Sequence, residues 1–167
     1  AATGIFLFTK KIAESTDQLG RLAQTYGTTV DKMLEFDFVA ELNKGSADAM
    51  NSAMGNLAVT MSEASRGMGA GIETFGMLGL SVTDTTGKLK SADDMVLEIA
   101  DSIAKLDNQA QRLEFAQKLG FGRELLLTLQ QGSRAIQEQR KRFKGLTLFD
   151  ETETQGAAKA AEAFSDA

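Results

Sequence analysis

Hydrophobic residues along this chain recur mostly at spacings of three and four, which is the period of an amphipathic α-helix. The clearest stretch alternates the two spacings over three heptads, as a coiled-coil seam does, and predicts one long helix. Few complementary charges flank this seam, so we expect it to pack against other helices of the same chain. An intermolecular coiled coil is the alternative. The seam positions are Ala47, Met50, Met54, Leu57, Met61, Ala64 and Met68.

Two helices are predicted before the seam. The first reaches Tyr26 and breaks at Gly27, and the second opens at Thr28, where Asp31 completes an acidic variant of the capping box. We expect Gly45 to end the second helix. Its apolar residues recur every four positions and predict one buried stripe, with the charged residues between them in solvent. The stripe consists of Val30, Leu34, Phe38 and Leu42, and the solvated positions are Asp31, Lys32, Glu35 and Glu41.

Glycines and turn-forming residues follow the seam. Gly67, Gly69 and Gly71 each cost up to about 1 kcal/mol in a helix interior, so fraying, a kink or a close helix crossing is expected there. We interpret the spacing of the first and last of these glycines as flexibility rather than as a dimer interface. The β-prone and turn-forming residues that come next predict a short extended segment near residues 81–89.

Two capped helices and an anchored turn are predicted after this segment. The N-cap pairs are Ser91 with Asp94 and Asn108 with Gln111. Phe121 lies between two glycines and predicts an aromatic anchor that holds a tight turn in the core. The first helix carries an inward face of Val96, Ile99, Ala100 and Ile103 and an i,i+4 pair of Asp101 with Lys105. The second carries Leu113, Ala116 and Leu119 and stops at Gly120, and Leu125 and Leu129 continue the spacing of Phe121 up to Gly132.

The last part of the chain becomes charged and alanine-rich. Ile136 and Phe143 are the main apolar residues of its first helix, so we expect looser packing there. Residues 1–145 are predicted to form one helical module, and residues 146–167 an alanine-rich, charged C-terminal helix or a partly disordered tail. The predicted fold class is all-α, with about six to eight helices, long antiparallel helix packing and one short extended turn.

Composition supports the helical prediction and narrows the chemistry. The chain has 167 residues and no proline, so no position lacks the backbone N–H that a helix needs. Its net charge of −5 argues against specific nucleic-acid binding. Cysteine and histidine are absent, which removes the thiolate nucleophile as well as the commonest general base and metal ligand. We therefore expect no enzyme, and no catalytic, cofactor-binding or metal-binding residue.

Three charged or loop segments are the candidate sites. The acidic group lies in the first turns of a predicted helix, where the helix dipole explains it without catalysis or a metal: Asp93, Asp94, Glu98 and Asp101. The run Thr85-Thr86-Gly87 with Lys88 and Lys90 lacks the spacing of a phosphate loop, so a plain turn is expected. The basic cluster is expected to be a solvated helix face, with an acidic partner chain, an anionic lipid surface or DNA as alternatives: Arg134, Arg140, Lys141, Arg142 and Lys144.

The first residues, AATGIFLFTKK, look like the end of an apolar segment that Lys10 and Lys11 stop. They are either part of an amphipathic helix or the trailing edge of a membrane-active stretch, and upstream residues would distinguish the two. Because the chain starts on Ala1 and not on methionine, we expect it to be a piece of a longer protein.

The order of turn, cap and apolar residues from Phe75 to Gly132 resembles the tape-measure proteins of phage tails, and the resemblance extends over approximately Lys10 to Lys144. Two departures are the missing proline between Leu125 and Gly132 and the run Gly120-Phe121-Gly122-Arg123, which varies a phenylalanine–glycine–arginine turn of that family. The densest match consists of Leu78-Gly79-Leu80, Asp84, Gly87, Leu89, Lys90 and Ser91, then Ile99-Ala100-Asp101, Leu119 to Arg123, and Leu129 to Gly132.

This resemblance implies a structural protein of the virion tail, made in the host bacterial cytoplasm. The parent would be long and mostly helical, present as a homo-oligomer of a few copies in the lumen of the tail tube. It would set the length of the tube and leave it ahead of the DNA. The implied partners are the tail tube protein, tail tip or baseplate proteins and tail assembly chaperones. The alternative is a membrane-interacting helical domain that assists DNA passage into the host, with membrane contact through the apolar N-terminal side, Ile5 to Phe8.

Overall fold

The computed structural model describes residues 19–144, and most of these lie in eight α-helices. These residues form no strand, and a single antiparallel bridge joins Thr83 to Leu89. The predicted all-α fold with one short extended turn is thereby confirmed. The helices are α1 (residues 19–26), α2 (Val30–Leu42), α3 (Ala47–Ser65), α4 (Gly71–Met77), α5 (Ala92–Lys105), α6 (Gln109–Lys118), α7 (Leu126–Leu129) and α8 (residues 132–144), with a 3-10 turn at Arg123–Leu125.

Two of the segments predicted from the sequence lie outside residues 19–144. They are the apolar start of the chain, Ala1 to Phe8, and the C-terminal segment, residues 146–167. Across residues 19–144, no helix is both long enough and apolar enough to cross a membrane.

The seam of α3 lies at the centre of the core. Its side chains pack in one cluster with those of α2 and α5, which confirms the prediction that the seam is buried within this chain. Only residues 43–46 connect α2 to α3, and across the pair the Asn51 Nδ2 donates to the Asp37 Oδ2 at 3.1 Å. The fully buried seam residues are Met50, Met54, Leu57 and Met61.

The other side of this core is α5. All four residues predicted to face inward are fully buried: Val96, Ile99, Ala100 and Ile103. Both predicted N-caps are also confirmed. The Ser91 hydroxyl accepts a hydrogen bond from the Asp94 amide at 3.4 Å, and the Asn108 side-chain Oδ1 accepts from the amides of Ala110 and Gln111 at 2.8 and 3.2 Å.

The predicted buried stripe of α2 is wrong. Three of its residues are half-buried, and Leu42 is 44% exposed. The cause is that α2 is apolar on more than one side. Val30 and Leu34 pack on a small cluster with α1, and the Phe38 ring stacks on Phe143 of α8 with centroids 5.2 Å apart. The residues that α2 buries completely are Met33, Phe36, Val39 and Ala40.

Both ends of α2 also differ from the prediction. Its N-cap is Thr29 rather than Thr28, and the Thr29 hydroxyl accepts from the Lys32 amide at 3.4 Å. At the other end Lys44, not Gly45, takes the left-handed conformation with φ of 67°. The Gly45 amide then donates to the Ala40 carbonyl at 2.8 Å and closes the helix.

The glycine run ends α3 earlier than the seam pattern suggested. The helix stops at Ser65, and Gly67 and Gly69 both have positive φ. As a result Met68 is 51% exposed, so the last seam position was wrongly predicted as packed. A β-carbon on Gly71 would lie 2.3 Å from the Thr60 Cγ2, which shows that α4 crosses close to α3.

The predicted turn at Phe121 is confirmed, because its ring is fully buried and Gly120 has φ of 93°. The helix predicted to follow it is instead divided into the 3-10 turn and the four-residue α7. Gly132, with φ of 75°, marks the change from α7 to α8. Ile136 is fully buried and Phe143 is 7% exposed, so α8 packs more tightly than expected.

Replacing Lys44 with glycine should raise the free energy of unfolding by about 0.5–1 kcal/mol, because glycine adopts the left-handed conformation without a clash from a β-carbon. Urea unfolding measures this change. Lys44→Ala is the matched control, since it removes the same charge and keeps the β-carbon. An equal gain in both variants would show that the charge, and not the backbone, is responsible.

Candidate functional site

The acidic group of α5 is distributed over separate structural contacts. Asp93 is 1% exposed, and its Oδ2 lies 2.7 Å from the Nζ of Lys32 on α2. Burial alone would raise the pKa of the Asp93 carboxyl. The hydrogen bond from Lys32 and those from neighbouring hydroxyl groups together outweigh this effect, so the pKa lies below its ordinary value. Lys32 was predicted to be solvated, and its side chain is 40% exposed while it makes this pair. The pair therefore joins α2 to α5.

The other three carboxylates of the group each have a different partner. Asp94 accepts a hydrogen bond from the Ser91 hydroxyl at 2.9 Å, within the capping pair. Both oxygens of Glu98 accept from the Lys90 Nζ, at 2.7 and 2.8 Å. The contacts of Asp94 and Glu98 are thus local to the start of α5.

Asp101 does not form the predicted ion pair with Lys105 among the described contacts. Its two oxygens accept from the Ser133 amide at 2.7 Å and from the Ser133 hydroxyl at 2.8 Å. Ser133 lies in the first turn of α8, where backbone N–H groups have no partner within the helix. Asp101 thus caps a helix distant in sequence, which an i,i+4 rule applied to α5 alone could not show.

The segment weighed as a phosphate loop is closed by Asp84. The Asp84 Oδ1 accepts from the Thr86 amide at 2.8 Å, from the Thr86 hydroxyl at 2.7 Å and from the Lys88 amide at 3.0 Å. The hydrogen bond from the Thr86 side chain is the main cause that lowers the pKa of Asp84. The N–H groups that would have to bind a phosphate are thus already donating to a carboxylate, which favours the plain turn.

The basic cluster is only partly a solvated face. The Arg140 Nε lies 2.7 Å from the Glu35 Oε2, and the guanidinium carbon lies 4.6 Å from the centroid of the Phe36 ring. The Lys144 Nζ lies 3.0 Å from the Glu35 Oε1. Glu35 is 2% exposed, so the prediction that it is solvated is wrong. The remaining members, Arg134, Lys141 and Arg142, are exposed.

The candidate contact site is an open groove between α1, the outer face of α3 and the residues that lead into α5. Its main part has a volume of about 610 Å³, and a smaller part of about 340 Å³ continues along α3. Tyr26 and Ala58 line both parts, and Leu89, Lys90 and Ser91 form one wall of the larger part. Four residues of the tape-measure-like match thus border this groove, namely Asp84 and Leu89 to Ser91.

Tyr26 takes its place in the groove because α3 has a glycine opposite it. A β-carbon on Gly55 would lie 2.6 Å from the Tyr26 hydroxyl oxygen and 2.9 Å from its ring carbon. This groove was not predicted from the sequence. The available signal was Gly55 itself, because a glycine costs stability inside a helix and also leaves room for a close approach.

The groove lining includes hydroxyl groups, carboxylates, an amide, lysines, an arginine and apolar side chains, and the chain has no histidine or cysteine. Within the described part of the chain, no group of three or more acidic, histidine or cysteine residues could hold a metal ion. No protein-family model, curated protein or solved structure matches this chain.

Replacing Asp93 with asparagine should lower the free energy of unfolding at pH 7 by about 1–3 kcal/mol, because Lys32 loses its charged and buried acceptor. The folded-state pKa lies below the ordinary value of 3.8. The stabilisation by the carboxylate is therefore complete above that value and is lost as the pH falls through the folded-state pKa. Urea unfolding from pH 7 down to about pH 3 measures this loss.

The matched control is Asp107→Asn, which removes an exposed carboxylate and should change stability little at any pH. The difference between the wild type and Asp93→Asn should narrow toward low pH. A difference that stays constant with pH would mean that shape, and not charge, gives Asp93 its effect.

Replacing Gly55 with alanine should push Tyr26 out of its place and lower the free energy of unfolding by about 1–2 kcal/mol. Tyr26 is the only tyrosine and tryptophan is absent, so intrinsic fluorescence and its quenching by acrylamide report on this side chain alone. Gly76→Ala is the control, because its β-carbon would meet nothing within 4 Å. Quenching that is unchanged in Gly55→Ala would contradict the close approach.

Proposed function

We propose that this chain is a structural and assembly module of a phage or prophage tail tape-measure protein and that it catalyses no reaction. The main support is the stretch from Phe75 to Gly132, which carries the resemblance to that family. This stretch runs from α4 to the start of α8. Its helices α4 and α5 pack on α3, and α6 and α7 pack on α5. The resemblance therefore falls on consecutive, mutually packed elements of an all-helical domain.

The residues of the resemblance have structural roles at their positions. Asp84 closes the turn and Ser91 caps α5. Asp101 caps α8, and Phe121 anchors a turn in the core. The glycines of the match adopt positive φ at four of its turns, namely Gly79, Gly87, Gly120 and Gly132. A set of residues used for turns, caps and packing supports a building role better than a reaction.

The contacts of the acidic side chains support the non-catalytic part of the proposal. Asp93, Asp94, Glu98 and Asp101 each bind a neighbouring side chain or backbone group of the protein. Their positions are explained by capping and by ion pairs between helices.

The compact fold limits how the module could contribute to tail length. As one continuous helix, residues 19–144 would span about 190 Å at 1.5 Å per residue. Folded, the longest helix of the described domain is α3, with 19 residues. We therefore propose that this module is a folded anchoring or assembly region, and that extended parts of the parent set the length.

The test uses a phage or prophage that carries this chain, with tails counted and measured by electron microscopy. An in-frame deletion of residues 19–144 should reduce the number of tails and leave the length of any remaining tails normal. Tails shorter by about 190 Å would instead mean that the segment is an extended part of the ruler. Leu57→Asp, which places a charge in the core, should resemble the deletion in tail number.

Leu127→Asp is the matched control, since Leu127 is 52% exposed and should tolerate the charge. Tails of normal number and length that fail to deliver DNA would favour the membrane-interacting alternative. Normal, infectious phage after the deletion would contradict both functions.

A further inference from the structure

The two halves of α8 are attached to the domain in different ways. The first half is anchored by Ser133, which donates twice to Asp101, and by Ile136, which is fully buried in the main core. The second half, residues 137–144, lies beyond that core cluster and is here called the clasp. Among its contacts are those with α2, with Asn43 and with Gln131.

The clasp contacts the domain through charged and amide groups and one aromatic pair. Gln139 accepts a hydrogen bond from Asn43 at 2.9 Å, and Phe143 stacks on Phe38. Arg140 covers one face of Phe36 while it binds Glu35. Apart from the aromatic contacts, these are groups that water can also satisfy.

Glu35 holds the clasp through both of its carboxylate oxygens. One oxygen binds Arg140 at 2.7 Å and the other binds Lys144 at 3.0 Å, while Glu35 itself is 2% exposed. Arg140 and Lys144 are four residues apart and so lie on the same face of α8. The single carboxylate thus engages two successive turns of one helix.

A buried ion pair of this kind gives less net stabilisation than its short distances suggest. Removing a carboxylate and a guanidinium from water costs free energy. Their mutual attraction offsets this cost only when the hydrogen-bond geometry is good. When the clasp opens, both charges return to water and that cost is recovered. The core cluster around Ile99 and Leu57 consists of apolar side chains, so no charge returns to water when it opens.

From this contrast, we propose that the clasp opens as a unit separate from the rest of the described domain and that Glu35, with Arg140 and Lys144, is its latch. Opening uncovers the Phe38 ring and the face of Phe36 that Arg140 covers. The clasp is thus a conformational device of the fold, independent of the tail-protein proposal.

Amide hydrogen exchange on the whole chain tests this inference by comparing the amides of residues 140–144 with those of Ile99 to Ile103. In the wild type, the clasp amides should exchange at least about tenfold faster than the α5 amides, as expected for a sub-global opening. Glu35→Gln and Arg140→Gln should each speed the clasp amides about tenfold further, with the α5 amides changed less than about twofold.

Lys141→Gln is the matched control, because Lys141 is exposed, lies in the clasp and pairs with Glu138 of the same helix. It should change neither set of amides. An equal effect of Lys141→Gln and Glu35→Gln would overturn the latch. Equal exchange of both sets in the wild type, or equal acceleration of both in the variants, would overturn the separate opening.

If Glu35→Gln does not fold, Arg140→Gln and the wild type in low concentrations of urea decide the question. Clasp exchange that depends weakly on urea, while α5 exchange depends strongly on it, supports the separate opening because little surface is exposed. A single urea dependence for both sets would overturn it.

Discussion

Burial of the α3 seam is the interaction on which the rest of the described fold depends. α3 contacts α2, α4, α5 and the 3-10 turn, so these elements are placed by reference to it. Its methionines suit this central position, because an unbranched thioether side chain fills gaps between neighbours that approach at different angles. On other parts of its surface, Gly55 allows Tyr26 to come close, and Thr60 lies against Gly71 of α4. α3 is thus a helix surrounded by others rather than one strand of a coiled coil.

Packing against α3 does not by itself fix how α2 is rotated about its own axis. α2 carries apolar residues on more than one side, and apolar contacts alone would permit several rotations about its axis. Two charged contacts select one of them. Lys32 binds Asp93 of α5, and Glu35 binds Arg140 of α8. We interpret these buried pairs as determinants of the orientation of α2, since such pairs add specificity more readily than net stability.

The difference between contacts within a few residues and contacts between distant helices explains which features could be predicted from sequence. The caps at Ser91 and Asn108 and the turn at Phe121 depend on residues within a few positions, and each was predicted correctly. The inward face of α5 was also predictable, because that helix is polar on its other side. The buried face of α2 was not predictable, because the spacing of its apolar residues does not distinguish two apolar sides. The left-handed Lys44 was not predicted, because a residue with a β-carbon rarely adopts that conformation.

The groove and the latch were missed for a related reason, since each joins residues distant in sequence. Tyr26 meets Gly55, and Glu35 meets Arg140, only after the helices have packed. No local rule assigns a partner to a buried carboxylate, and a charge every few residues reads as a solvated face. The candidate contact surfaces of this domain therefore lie between segments, whereas the residues that resemble the tape-measure family are mostly turns and caps within one stretch. Under the proposed function, that stretch would form the folded part of the module. The contacts between distant segments would determine its stability and the opening of the clasp.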